Sequence, residues 1–252
     1  VLFRSIAQVV QKQRSLNGVL SEALLLLPEN ERSLCQQLCY GVVRWHPQLN
    51  VISQKLLIKA LKAKDADIAA LLLIGLYQLR ELRIPAHAAI SETVNATKTL
   101  GKQWAKGLVN ASLRNYQRQE TEISVILLNN EQAKYAHPEW LIQRYQADWA
   151  ENYEQIMCAN NQQPPMMLRV NQQQGSRQEY LAKLEQAEIA ATEIAGCDHG
   201  ILLASPCDVY QLPQFAEGAV SVQDGAAQYV ANTLDIKPNL RILDACAAPG
   251  GK

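Results

Sequence analysis

From Ile6 to Tyr116 apolar residues return every third or fourth position, and no stretch of two-residue alternation competes with them. That spacing closes on one face of a helix and cannot serve a pleated strand. Ile6, Val9 and Val10 form the stripe of a first helix. Leu16, Val19, Leu20, Ala23, Leu24 and Leu27 form a second, and Pro28 follows its end. A third starts after Asn30 and carries Leu34, Cys35, Leu38, Val42 and Trp45. Pro47 interrupts it, and a fourth carries Leu49, Ile52, Leu56 and Leu57. Asp65 or Asp67 can cap the apolar run from Ile68 to Leu82. Pro85 stands where the next helix begins, through Ile90, Val94 and Leu100, and Gly101 suits its C-terminal side. The last strong stripe is Trp104, Leu108, Val109, Ser112, Leu113 and Tyr116. Residues 1–128 are expected to form an all-helical bundle of about seven helices with short connections.

The texture then changes three times. Residues 129–165 are polar and Gln/Asn-rich, end at Pro164-Pro165, and read as a connector with two short helices, one after Pro138 and one around Tyr153. Residues 166–222 read as a small α+β module. Met166–Val170, Thr192–Ile194, Ile201–Ala204 and Val220–Val222 are its strand candidates, and Ser176–Ala190 is its capped amphipathic helix. Residues 223–252 carry a helix through Ala227, Val230, Ala231 and Leu234, a turn at Lys237-Pro238-Asn239, and a hydrophobic strand Leu240–Asp244. A strand that ends in an acid and then a Gly-rich turn opens a doubly wound α/β domain.

Charge separates the two halves. Residues 1–128 hold 16 Lys/Arg against 9 Asp/Glu, and residues 129–252 hold 8 against 15, although the net charge is zero. A basic front half points weakly toward nucleic acid. Lys98, Lys102 and Lys106 recur along one helical region and are candidates for phosphate contacts, although solvated faces are the commoner fate of such lysines. The six cysteines form no C-x-x-C pair and have no His at zinc-finger spacing, so no metal is expected. No run approaches the ~20 apolar residues of a membrane span, and no signal peptide is visible, so a reduced, cytoplasmic, monomeric protein is expected. Val1 is not a start methionine and Lys252 falls inside a motif, so the chain reads as a fragment.

The chemistry concentrates in Asp244-Ala245-Cys246-Ala247-Ala248-Pro249-Gly250-Gly251-Lys252. In open parallel sheets, ligands bind beyond the C-terminal ends of the strands. Gly250 and Gly251, without a Cβ, let the main chain approach a ligand. Pro249 stiffens the turn, and Asp244 is a fixed negative group for a cationic ligand. A dinucleotide fingerprint needs a glycine spacing that this loop lacks. A P-loop needs glycine at position 246, which is Cys246. A sulfonium nucleoside is the better candidate.

These residues resemble the first S-adenosylmethionine motif of RNA cytosine-C5 methyltransferases. Ser221–Gln228, His137-Pro138-Glu139-Trp140-Leu141 and Leu168-Arg169-Val170-Asn171 are similar to the same family. The helical front, with Pro85, His87, Ile90, Glu92 and Val94 and then Val109-Asn110-Ala111 and Leu113-Arg114, resembles the NusB fold. The combination resembles the Sun/Fmu family of small-subunit rRNA methyltransferases. The resemblance implies a multidomain chain: a NusB-like all-α bundle, a small α+β module, and the start of a Rossmann-like methyltransferase domain cut after its first cofactor motif. It implies S-adenosyl-L-methionine as cofactor, held by Cys246, Ala247, Ala248, Pro249, Gly250, Gly251 and Lys252, and 16S rRNA as partner. It places the attacking cysteine in a later Pro-Cys motif absent here, so none of these residues is expected to be catalytic. The rival reading is a NusB-like RNA- or protein-binding module without catalysis. His87 and His137 sit beside helix-start prolines, where capping or packing is expected, and Trp45, Trp104, Trp140 and Trp149 are expected mostly in the core.

Overall fold

The computed structural model describes residues 2–12, 14–234, 237–245 and 247, in two compact units, 1–162 and 163–252. The first is helical: α1 Leu2–Lys12, α2 Leu16–Leu24, α3 Glu29–Arg44, α4 His46–Leu56, a 3-10 turn Ala63–Asp65, α5 Ala66–Glu81, α6 Ala86–Thr99, α7 Ala105–Arg118, α8 Glu120–Leu128, α9 Glu131–Tyr135, α10 Glu139–Asp148 and α11 Tyr153–Asn160. Helix α5 is apolar on nearly every face, the composition of an interior helix, and Ala70 through Tyr77 are all buried. It packs against α1, α3, α4, α6 and α7. Burying each of Leu71, Leu72, Ile74 and Leu76 contributes about 1.5–3 kcal/mol.

The expected bundle is present, with one helix more than the periodicity announces. Helix α8 buries only Ile123 and Leu127, while Val125 and Leu128 are exposed, so its apolar run lacks a clean stripe. The interruption expected at Pro47 is present, with α3 ending at Arg44 and α4 starting at His46. Pro47 lies in the first turn of α4, where its missing N–H leaves no bond unmade. In the segment expected as a connector, α9 joins the two predicted helices. Asn130 caps α9 by accepting from the Ala133 N–H at 2.9 Å. Buried Gln48 of α4 donates to the Ala133 carbonyl at 2.9 Å and accepts from Arg80 Nε at 2.8 Å, so this segment is bonded into the bundle.

Three of the four expected tryptophans are not core. Trp104, Trp140 and Trp149 are 57%, 68% and 56% exposed, and only Trp45 packs against the bundle core. Helix α5 and its neighbours fill the interior with aliphatic side chains, and the indoles stand at the edges of α7 and α10, outside that packing.

The second unit contains β1 Met167–Val170, α12 Arg177–Gln186, β2 Ala191–Glu193, β3 Gly200–Leu203, a 3-10 turn Val209–Gln211, β4 Val220–Val222 and α13 Gly225–Thr233. The strands pair antiparallel in the order β2-β3-β1-β4, with Leu168 opposite Ile201 on one side and Val222 on the other. Alternation puts Leu168 and Val170 on the buried face, where Tyr180 and Leu184 of α12 join them. A capping box starts α12: Ser176 Oγ accepts from the Glu179 N–H, and Glu179 Oε2 accepts from the Ser176 N–H at 2.7 Å.

Leu240–Asp244 departs from its expected strand. The segment has no strand pairing, and Leu240, Ile242 and Leu243 are 54%, 58% and 88% exposed. A buried parallel strand needs neighbours on both sides, and the described residues supply none to this segment.

Candidate functional site

The segment Ser221–Gln228 joins the sheet to α13 and is hydrogen-bonded into the second unit, although the buried Gln228 Oε1 has no partner among the described residues. The Gln223 N–H donates to the Met167 carbonyl at 3.0 Å, extending the β1–β4 ladder by one residue. The Gly225 N–H then reaches the Met167 sulfur at 3.1 Å. At Gly225 a Cβ would sit 3.3 Å from that sulfur, a tight contact that glycine avoids. Asp224 accepts from the Ala226 N–H at 2.8 Å and so starts the helix. One turn on, buried Gln228 donates to the carbonyls of Leu168 and Gln223 at 3.2 and 3.1 Å. Tyr229 adds a bond to the Ala195 carbonyl at 2.8 Å. Helix α13 is thus held to β1 and to the β2–β3 turn from both of its neighbours in space. Beside it, Arg177 donates to the Cys197 carbonyl and to Glu193, each at 2.6 Å.

Of the expected cofactor loop, only Ala247 is among the described residues, and it is exposed. Cys246, Ala248, Pro249, Gly250, Gly251 and Lys252 lie outside them. Among the described residues no group of three His, Cys, Asp or Glu side chains is placed to hold a metal, and no helix is long and apolar enough to cross a membrane.

The three candidate lysines have different surroundings. Lys98 and Lys106 are exposed. Lys102 is committed inside the first unit: its ammonium lies 2.9 Å from Asp65 Oδ1, 2.6 Å from Asp67 Oδ1 and 2.9 Å from the Lys64 carbonyl. Burial alone would lower its pKa, but hydrogen bonds to Asp67 and Asp65 outweigh that and raise it. This cluster also revises the expected cap of α5. Asp65 occupies the N-cap position without bonding a backbone N–H, because its carboxylate faces Lys102. Lys102 reaches it through the end of α6. Gly101 there has φ +69°, and the Gly101 and Lys102 N–H groups bond the Lys98 and Thr97 carbonyls at 2.9 Å, a Schellman closure.

Residues 1–118 match the NusB family, and residues 137–210 match the ferredoxin-like domain of RsmF/B-like methyltransferases. A ribosomal RNA small subunit methyltransferase B from Pseudomonas putida is 49% identical over 249 residues, covering 99% of this chain and 57% of the relative. The Vibrio cholerae protein of the same name is 46% identical over 97% of this chain and 56% of its own length. The chain thus carries a NusB-family region and an RsmF/B-like ferredoxin-like domain, and over nearly its whole length it is similar to proteins named ribosomal RNA small subunit methyltransferase B. It spans 57% of the length of the Pseudomonas putida relative. The crystal structure of PH0851 superposes with a TM-score of 0.59 over 90% of this chain and 52% of that one, at 13% identity, a likeness of fold.

The site residues that sequence reasoning missed are the ones acting through contacts distant along the chain. Gln228 lies sixty residues from Leu168. The resemblance of Ser221–Gln228 marked its segment, but not its bonds to the Leu168 and Gln223 carbonyls. Asp65 and Asp67 read as caps because local spacing cannot reveal a lysine 37 and 35 residues away. His137 is buried, with Nδ1 2.5 Å from the Tyr135 carbonyl, in keeping with packing. His87 is exposed.

Proposed function

We propose that the whole protein of which this chain is part transfers a methyl group from S-adenosyl-L-methionine to carbon 5 of a cytosine in 16S rRNA, in the cytoplasm. The observation that carries the reading is the extent of the likeness: relatives named as small-subunit rRNA methyltransferases match 97–99% of the chain. The finer claims rest on the string Asp244–Lys252 and on its resemblance to the cofactor loop of RNA cytosine-C5 enzymes.

Residues 1–128 serve in this proposal as the RNA-binding domain, 129–165 as its connector, 166–222 as a module that helps grip folded RNA, and 223–252 as the entry to the cofactor domain. Cys246 to Lys252 would hold the methionine and ribose part of the cofactor, which supplies the methyl group. The attacking cysteine is one that these 252 residues do not contain. Added as a thiolate to cytosine carbon 6, it would make carbon 5 nucleophilic; carbon 5 would take the methyl group as S-adenosyl-L-homocysteine leaves, and loss of the carbon 5 proton to a base would then expel the thiolate and restore the ring. The target base must be unstacked for that attack. The part of the described residues is positional: the network from Gln223 to Gln228 sets where α13 leaves the sheet, and so the direction in which the chain runs on toward Asp244–Lys252.

The test is methyl transfer from labelled S-adenosyl-L-methionine by the full-length protein to small-subunit rRNA, tRNA and protein, with the modified base mapped. Label at a cytosine carbon 5 of the rRNA alone is expected. Label elsewhere, or RNA binding with no transfer, supports instead a different substrate or a NusB-like binding module.

A further inference from the structure

The loop between α4 and α5 and the start of α7 form a groove of about 620 Å3 on the first unit. That size lies in the roughly 300–1,000 Å3 range of ligand sites. Its lining includes Ile58, which is fully exposed, and Trp104, which is 57% exposed. It also includes Lys59, Lys62 and Lys64, all exposed and none with an ion-pair partner among the described residues. Asn115 adds an uncharged polar group. The one carboxylate in the lining, Asp65, is already paired with Lys102. The groove therefore carries three uncompensated positive charges around an exposed indole. The Lys102 cluster, holding the Lys64 carbonyl as well as Asp65, fixes the loop that presents these lysines.

An occupant complementary to this surface is polyanionic and carries flat apolar faces. Single-stranded nucleic acid has both, because its phosphates meet lysines while an unpaired base stacks on an aromatic ring. A duplex hides its base faces, and an acidic peptide offers the charge without the planar groups. We propose that this groove binds a single-stranded stretch of RNA, with Trp104 as the stacking platform and Lys59, Lys62 and Lys64 as the phosphate contacts. The choice of RNA rests on the function proposed above. The groove gives the front unit a way to hold an unpaired segment of RNA.

The test measures anisotropy of a fluorescein-labelled 12-nucleotide single-stranded RNA with the 252-residue chain across a salt series. Trp104→Ala weakens binding about 5- to 150-fold, the range for losing one base-stacking ring, and Trp104→Phe stays within about threefold of the parent. Replacing Lys59, Lys62 and Lys64 together by Ala lowers the slope of log affinity against log salt by about 2, since each single-strand phosphate contact contributes about 0.7. All these residues are exposed, and matching thermal melts verify the fold. Unchanged affinity in Trp104→Ala with an unchanged slope in the lysine variant overturns the proposal. So does displacement of the RNA by a poly-glutamate peptide whose own binding ignores Trp104. Methyl transfer by the full-length protein separates the two readings. Normal transfer with no dependence on Trp104 in binding sinks the groove alone. A Trp104- and lysine-dependent RNA site in a protein that transfers no methyl to rRNA sinks the function alone.

Discussion

Replacing Gly41 by Ala tests a close contact between two helices of the first unit. Gly41 of α3 faces Tyr77 of α5, and a Cβ built there would lie 2.6 Å from Tyr77 Cε1 and closer still to Cζ. Tyr77 is only 7% exposed, and its rigid ring sits in the core, so it has little room to withdraw. Overpacking of this kind costs about 1–3 kcal/mol. Alanine in a helix interior recovers about 0.5–1 kcal/mol relative to glycine. The expected net loss is about 1–2 kcal/mol, a fall in Tm of roughly 2–8 °C for a unit of this size. Tyr77→Ala removes the obstacle, so in that background Gly41→Ala becomes stabilising by about 0.5–1 kcal/mol. Urea unfolding of the four proteins closes a double-mutant cycle, with an expected coupling of about 2 kcal/mol. A Gly41→Ala effect of the same sign and size in both backgrounds would refute the claim that ring contact, rather than backbone propensity, dictates glycine.

Other predictions draw on different parts of the molecule. Burial, and then the neighbouring Cys35, push the Cys39 thiol up to about 12. Because the folded value is raised, the stabilisation is whole below the ordinary thiol range and is lost as pH climbs from about 9 toward 12. Cys39→Ala should therefore flatten alkaline unfolding curves in that window, and an undiminished slope would count against it. A disulfide reagent should label exposed Cys158 in the native chain and reach buried Cys35, Cys39 and Cys197 only on unfolding, read by mass spectrometry. Ser176→Ala should cost about 1 kcal/mol in chemical denaturation by deleting the cap of α12. Hydrogen bonds from the Ser176 backbone and hydroxyl hold the Glu179 carboxyl below its usual range, so that contribution is present at neutral pH and fades on acidification. Gly101→Ala meets no atom within 4 Å yet must hold φ near +69°, so it should cost about 1–2 kcal/mol from backbone strain alone, with Gly101→Asn losing less.

Local pattern decided which segments are helices and strands. The 3.6-residue stripes marked α1 through α7, and the short apolar runs at 167–170, 201–203 and 220–222 marked strands, because both periods are set by backbone geometry within a few residues. The string Asp244–Lys252 suggested the ligand class proposed for it for the same reason: its glycines and acid are neighbours in the chain. What lay beyond the sequence was everything decided by residues far apart. Lys102 reads as a free cation until the fold brings Asp65 and Asp67 to it. Trp104 reads as core until α5 and its aliphatic neighbours close the interior without it. Leu240–Asp244 has a strand's composition, but strand pairing is a property of partners, and the described residues give it none. Composition and spacing determine what each segment is able to form; the burial and pairing of its groups depend on what the rest of the chain places beside it.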